Sequence, residues 1–247
     1  MRGLAPLIWT QAKLYLREPV ATFFTIFYAP LMLILFGSIY GNEPNPMFGR
    51  RGTVDISVPA YMALVGASVG LIGLPIAIAT EREKGILRRY RATPLHPLAY
   101  LVSDVVTYLA MTLLGVLLLV LVGRVGWNLR FEGNALSMLG GFVLGMLSIF
   151  AFGFLVGCLS PTARIAQTVG MVLAFPMMFV SGATIPWEIL PDGVRRVAEF
   201  VPLTHVVRVL RKLWAGGSWE EVWVSAVVPA GVLIVSSALS ARFFRWE

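Results

Sequence analysis

The sequence predicts an all-α membrane protein with six transmembrane helices. Composition gives the first reason, because 57% of the 247 residues are hydrophobic and only 13% are charged, whereas about 25% of residues are charged in an ordinary soluble domain. The second reason is that the apolar residues are grouped in long blocks. Six blocks have the length of about 20 residues that a helix needs to cross a bilayer, and they lie at 20–40, 58–80, 98–123, 135–159, 165–184 and 222–241.

Asp104 is the only Asp, Glu, Lys or Arg in these six blocks, so we expect one transmembrane domain over residues 1–247. A carboxylate inside hydrocarbon usually indicates a functional site. The alternative, which we favour, is a carboxylate near the cytoplasmic interface that pairs with a nearby arginine. Asp104 lies seven residues after Pro97, which is about 10 Å along a helix.

The distribution of lysine and arginine predicts that both termini are cytoplasmic. In this orientation eleven of these residues lie in cytoplasmic segments, four in the short outer loops and five in the last outer segment, 185–221. An excess of positive charge on the cytoplasmic side is typical of the plasma or inner membrane. Attraction to anionic membrane lipids explains the net charge of +7, so no nucleic-acid partner is expected.

Residues 1–19 show a helical pattern before the first span. Two interpretations are open: an amphipathic helix in the cytoplasmic interface, which we favour, or an ordinary juxtamembrane tail. Pro19 is expected to end this helix. The predicted apolar face contains Leu4, Leu7, Ile8 and Tyr15, and the other directions contain Gln11, Lys13, Arg17 and Glu18.

Small residues four apart allow helices to approach closely, and two spans carry them. In the second span they are Gly66 and Gly70, followed by Gly73, and in the fourth span Gly141, Gly145, Gly153 and Gly157 lie at multiples of four. We predict that both glycine rows are helix contacts, and that Pro75 kinks the second span. Phe27, Phe175 and Met178 are candidates for a substrate path, although lipid-facing or packing roles are the more common use of such residues.

The outer segment before the last span predicts two short amphipathic helices, in a re-entrant or interfacial hairpin. The first has an apolar face formed by Val194, Val197, Ala198 and Val201. Thr204 is a plausible N-cap of the second helix. Its apolar side contains Val206, Leu210, Leu213 and Trp214, and its polar side Arg208, Arg211 and Lys212.

Residues 81–97, EREKGILRRYRATPLHP, form a charged segment between the second and third spans, with seven charged residues in eleven positions at 81–91. It either contacts a cytoplasmic partner or is a solvated loop. The chain contains no GxxxxGK[ST] phosphate loop, so nucleotide binding is not expected. The two histidines, His96 and His205, are predicted on opposite sides of the membrane, and neither a metal site nor a catalytic group of residues is expected.

Several of these stretches resemble one family. Residues 81–88 (EREKGILR) and 91–95 (RATPL) are similar to the cytoplasmic motif after the second span of type-2 ATP-binding-cassette exporter permeases. Residues 200–205 (FVPLTH), with Arg208, Leu210 and Arg211, resemble the stretch before the last span of that family, most closely in its drug-export branch. The end of the fifth span, with Ser181–Gly182 and Ile185–Pro186, is similar too.

The resemblance implies a permease that pairs with a second copy or a related permease and with separate ATPase subunits, which would bind ATP and magnesium. This chain itself would be no enzyme and would bind no cofactor. Residues 81–91 would be the coupling helix, within the segment 81–97 that couples the permease to the ATPase subunits. Membrane lipids would surround the spans. A non-transporting membrane anchor or assembly factor remains the alternative. The predicted coupling residues are Glu81, Arg82, Glu83, Gly85, Ile86, Leu87, Arg88, Tyr90, Arg91, Thr93 and Pro94, and those of the outer hairpin are Pro202, Leu203, Thr204, His205 and Arg208.

Overall fold

The computed structural model describes residues 4–46, 49, 51–86 and 97–243, with side chains described from residue 5 and, after the gap, from residue 102. It confirms the all-helical prediction: within these residues β pairing is limited to one isolated bridge, between Asn45 and Arg51. The helices are α1 (Leu4–Leu16), α2 (Pro19–Tyr40), α3 (Thr53–Glu83), α4 (Pro97–Trp127), α5 (Ala135–Leu159), α6 (Ala163–Val180), α7 (Asp192–Ala198), α8 (Pro202–Trp214) and α9 (Trp219–Phe243).

Six of the described helices, α2 to α6 and α9, are long and apolar enough to cross a membrane. The α5 boundaries match the predicted 135–159, and Asn134 caps its first turn by accepting hydrogen bonds from Leu136 N and Ser137 N. The other five spans begin or end at residues that differ from the prediction by up to five positions. Helix α3 begins at Thr53 instead of 58, and α6 ends at Val180 instead of 184, because the chain turns at Gly182 with a φ of 83°.

Two spans contain a π-helical segment shortly before a proline: Phe23–Phe27 before Pro30, and Ser68–Gly73 before Pro75. A proline has no N–H to donate, and its ring clashes with the carbonyl four residues earlier. A wider turn moves that carbonyl aside. Where we predicted a kink at Pro75, the structure therefore shows a π-helical segment immediately before it.

The π-helical segments lie against glycines of neighbouring helices. A Cβ atom on Gly115 of α4 would overlap Thr25 O, and a Cβ on Gly153 of α5 would overlap Gly70 O. On α6, a Cβ on Gly170 would overlap Leu71 O. These three glycines let the π-helical backbone of α2 and α3 approach its neighbours.

Helix α5 lies at the centre of the bundle and contacts α3, α8 and α9. The predicted glycine row on α5 is confirmed as a contact surface, because Cβ atoms on Gly141 and Gly145 would lie 2.6 Å from Leu213 and Val206 of α8. Near the other end of α5, a Cβ on Gly157 would lie 3.1 Å from Pro75 Cα. One row of small residues therefore receives two different helices.

Two local predictions are wrong. The N-cap of α8 is Val201, and Pro202 begins the helix, because a proline at this position has a suitable φ and needs no hydrogen-bond acceptor. Thr204 lies inside the first turn and is fully buried. The predicted apolar face of α7 also fails in part, since Ala198 is buried but Val197 is 60% exposed. That helix is only seven residues long and contacts α6 through one side.

Candidate functional site

The carboxyl end of α3 begins the predicted coupling segment. Helix α3 ends at Glu83, and Gly85 has a φ of 64°, the left-handed conformation that terminates many helices. Lys84 N donates to Thr80 O at 2.9 Å, and Gly85 N donates to Arg82 O at 3.0 Å. The remaining predicted coupling residues Leu87, Arg88, Tyr90, Arg91, Thr93 and Pro94, together with His96, lie outside the described residues.

Arg82 and Glu83 contact the turn between α5 and α6. The Arg82 guanidinium donates to Cys158 O at 3.2 Å and also to Ser160 O. Glu83 Oε1 accepts a hydrogen bond from Ala163 N at 3.0 Å. Both side chains, which sequence reasoning assigned to a partner surface, therefore bind backbone groups of the chain itself.

Helix α1 packs on α4 beside this region. The Tyr15 ring meets the Tyr108 ring edge-on with centroids 5.4 Å apart, and its hydroxyl shares a 2.6 Å hydrogen bond with Thr25 Oγ1. Burial raises the pKa of the Tyr15 hydroxyl. Lys13 lies over the exposed Trp9 ring at 5.0 Å. Gln11, which we predicted on the polar side, is half-buried instead, so the polar side is narrower than the spacing indicates.

The second predicted amphipathic helix, α8, is inserted into the bundle, where it contacts α3, α5 and α9. Leu203, Thr204, Val206, Leu210 and Leu213 are at most 1% exposed. Arg208 and Arg211 lie on the opposite side and are only partly exposed, as the sequence predicts. The apolar side of α8 therefore forms part of the protein core.

Ion pairs cover the outer side of α8. Arg208 Nη1 donates to Glu199 Oε2 at 2.7 Å, and Arg208 Cζ lies 4.5 Å from the centre of the Trp187 ring. Arg211 Nη2 pairs with Glu188 Oε1 at 2.9 Å. The hydrogen bond from Arg208 lowers the pKa of the Glu199 carboxyl below its usual value. These pairs hold the segment between α6 and α8 against α8.

His205 is 7% exposed, and its Nε2 lies 2.9 Å from Glu199 O. Its Nδ1 has no hydrogen-bond partner among the described atoms. This environment places His205 at the junction between the α7–α8 link and the core.

The structure separates the three candidate path residues by exposure. Phe27 on α2 and Phe175 on α6 are 50% and 52% exposed. Met178 is 7% exposed and belongs to the buried core. Only the two phenylalanines are therefore available on the surface of one chain.

Asp55 is a buried carboxylate that sequence reasoning missed. Its Oδ1 accepts hydrogen bonds from Asn42 Nδ2 at 3.0 Å and from Arg130 N at 2.9 Å. It joins the loop between α2 and α3 to the loop between α4 and α5. An acidic residue three positions before a long apolar block is a first-turn signal for a helix, and it would have placed the start of α3 earlier.

Comparison with known proteins places these features in a family. The family model for ABC-2 family transporter proteins matches residues 40–242. The chain is 24% identical to the daunorubicin resistance ABC transporter permease protein DrrB1 of Streptomyces coeruleorubidus, over 96% of this chain and 84% of that protein.

Two further relatives are longer than this chain. The probable multidrug ABC transporter permease YbhR of Escherichia coli K12 is 23% identical, over 83% of this chain and 55% of that protein. ABC transporter G family member 20 of Dictyostelium discoideum is 24% identical, over 80% of this chain and 27% of that protein. Because the family model covers most of the chain and both predicted motifs, this multi-pass membrane protein belongs to the ABC-2 family of ABC transporter permeases.

Proposed function

We propose that the chain is the membrane-spanning subunit of an ATP-driven exporter. Two copies, or this chain and a related permease, form the translocation path, and residues 81–97 couple them to separate ATPase subunits that bind ATP and magnesium. The observation that carries this proposal is the family match over residues 40–242, which includes the charged segment and the helical hairpin before the last span. The chain is located in the plasma or inner membrane, with both termini cytoplasmic.

The substrate class follows from the surface of the spans and from the relatives. Phe27 and Phe175 present half-exposed aromatic rings on two different spans. Aromatic side chains bind apolar molecules over a large area. One relative is named for daunorubicin resistance and another as a probable multidrug permease. We therefore propose an amphipathic drug, antibiotic or lipid-like molecule as the substrate.

Reconstitution tests the proposal. The purified chain is placed in vesicles with its proposed partner ATPase, and ATP-dependent accumulation of radiolabelled daunorubicin and of a panel of amphipathic cations is measured. We expect accumulation with the active ATPase and none with a variant ATPase that cannot hydrolyse ATP. ATPase binding without accumulation of any probe would contradict transport and support the membrane-anchor alternative.

A further inference from the structure

Arg82 and Glu83 are neighbours in the last turn of α3. One binds the carboxyl end of another helix, and the other binds the amino end of a different helix. Arg82 donates to Cys158 O and Ser160 O, at the carboxyl end of α5. Glu83 accepts from Ala163 N, at the amino end of α6. A helix has unpaired carbonyls and partial negative charge at its carboxyl end, and unpaired N–H groups and partial positive charge at its amino end. Each side chain therefore has the charge that suits the helix end it contacts.

The capping residues of the α5–α6 turn do not use every backbone group at these helix ends, so Arg82 and Glu83 can bind some of them. Thr162 Oγ1 accepts from Ile165 N at 3.2 Å and so caps one donor of α6, while Glu83 takes the donor of Ala163. Arg82 reaches two carbonyls at once, which a planar guanidinium does better than an ammonium group. The α5–α6 turn is thus held from outside by α3 as well as by its own residues.

The contacts of Arg82 and Glu83 continue an interface along which α3 packs against α5 and α6. Above the turn, Gly157 of α5 lies against Pro75 and Ile78 of α3, and Gly170 of α6 lies against Leu71 O. Helix α3 therefore touches α5 and α6 from its π-helical segment down to its last turn. A displacement of the last turn of α3 moves the α5–α6 hairpin with it, because close-packed helices do not deform continuously.

We propose that Arg82 and Glu83 are positioning residues that transmit movement of the last turn of α3 to the α5–α6 hairpin. This inference rests on the proposed function, since the movement comes from a bound ATPase. It reassigns two residues of the predicted partner surface to an internal connection, hereafter the α3 clamp.

Transport measurements test the α3 clamp in vesicles that contain the permease and its ATPase. We expect Glu83→Ala and Arg82→Ala to lower the number of molecules transported per ATP by about fivefold or more, the lower range of typical coupling between sites. ATPase binding affinity should stay within about twofold, because both side chains already bind backbone groups of the chain itself. Glu83→Gln keeps an acceptor oxygen and should retain most of the coupling. Arg164→Gln, which removes an exposed charge from the same turn, is the matched control.

Loss of ATPase affinity in Glu83→Ala, with an unchanged transport ratio among the complexes that form, would overturn the proposal and return Glu83 to the partner surface. A second measurement does not depend on transport. Spin labels replace the exposed Lys84 and Thr168 in a Cys158→Ser background, which removes the single cysteine. The distance distribution should be narrow with the clamp intact and broader in the Arg82→Ala/Glu83→Ala variant.

Equal widths in the two backgrounds would refute the clamp. If the unmodified permease transports nothing, the proposed function fails, while the spin-label distances still decide whether the clamp holds the hairpin.

Discussion

Glycine is required at three positions of this bundle, because the Cβ atom of a larger residue there would overlap the backbone of a neighbouring helix. Gly153 is the clearest case, because Gly70 O occupies the space where the Cβ atom of a larger residue would lie. By contrast, Gly231 of α9 has no atom within 4 Å of the place where a Cβ would be. The same residue type is thus essential at one position and replaceable at another.

Gly153→Ala should destabilise the folded chain by about 2 kcal/mol or more, because inserting a methyl group into a filled interface forces backbone shifts. The measurement is the thermal unfolding of purified protein in detergent. Gly231→Ala is the control and should unfold at or slightly above the temperature of the unmodified chain, because alanine favours a helix more than glycine does. Equal stability of the two variants would show that the α3–α5 contact is not as close as described.

The Glu199–Arg208 pair predicts a pH effect. The pKa of Glu199 in the folded chain lies below its ordinary value of 4.5, so the unfolded chain binds more protons in that range. The pair therefore stabilises the fold above pH 4.5, and this contribution is lost as the pH falls through the lower, folded pKa.

Unfolding temperatures measured between pH 3 and pH 7 test this prediction. The unmodified chain should lose more stability on acidification than Glu199→Gln does, because the variant has no carboxyl to protonate at this position. Glu43→Gln removes an exposed carboxyl from the loop between α2 and α3 and should leave the slope unchanged. Identical slopes in Glu199→Gln and the unmodified chain would contradict the effect.

Helix α8 illustrates which properties of a helix its sequence can predict and which it cannot. Periodicity identified its apolar side, because Val206, Leu210 and Leu213 recur at helical spacing. The depth of its insertion was left open, since an amphipathic helix is equally suited to a membrane surface. Burial is decided by Gly141 and Gly145 of α5, which provide space for the helix, and a list of small residues does not name their partner.

The contacts of Arg82 and Glu83 were not predictable for a similar reason. Their charges fitted a partner surface as well as any internal acceptor. The deciding fact is that the α5–α6 turn presents Ser160 O and Ala163 N beside the end of α3. Backbone groups of this kind occur in every turn, so composition does not distinguish them.

Leu210→Ala should destabilise the chain by about 2–5 kcal/mol, because this fully buried side chain leaves a cavity in the core. Val227→Ala on α9, where the side chain is 58% exposed, should have little effect. Thermal unfolding in detergent compares the two variants. A small and equal loss would indicate that α8 lies on the surface of the bundle.

The molecule as a whole is a bundle whose spans differ in how much of their surface the chain itself covers. Within the described chain, 72% of the most apolar window of α3 is buried, but only 17% of that of α9. Helix α3 is therefore an internal span, and α9 is open to lipid or to another protein. The number of spans was predictable from the apolar blocks of the sequence. Which spans are internal and which are open could be seen only from the positions of the helices.

Labelling with a membrane-impermeant maleimide tests the orientation of the whole chain. Single cysteines replace the exposed Lys84, Arg164, Glu43 and Asp192 in the Cys158→Ser background. In intact cells, positions 43 and 192 should react at once, while positions 84 and 164 should react only after the membrane is opened. The opposite pattern would reverse the orientation, and labelling at one member of a pair alone would contradict the six-span arrangement.

The contact between the π-helical segment of α3 and later glycines has a consequence for biosynthesis. Gly115, which receives Thr25 O, belongs to the first half of the chain, but Gly153 and Gly170, which receive Gly70 O and Leu71 O, are made much later. Ribosomes add roughly 5–20 residues per second, so the roughly 80 residues between Gly70 and Gly153 take roughly 4–16 seconds. During that interval the most internal span of the protein lacks its α5 and α6 partners, although α2 is already made. The uncovered side of α3 is then accessible to the insertion machinery and to membrane proteases.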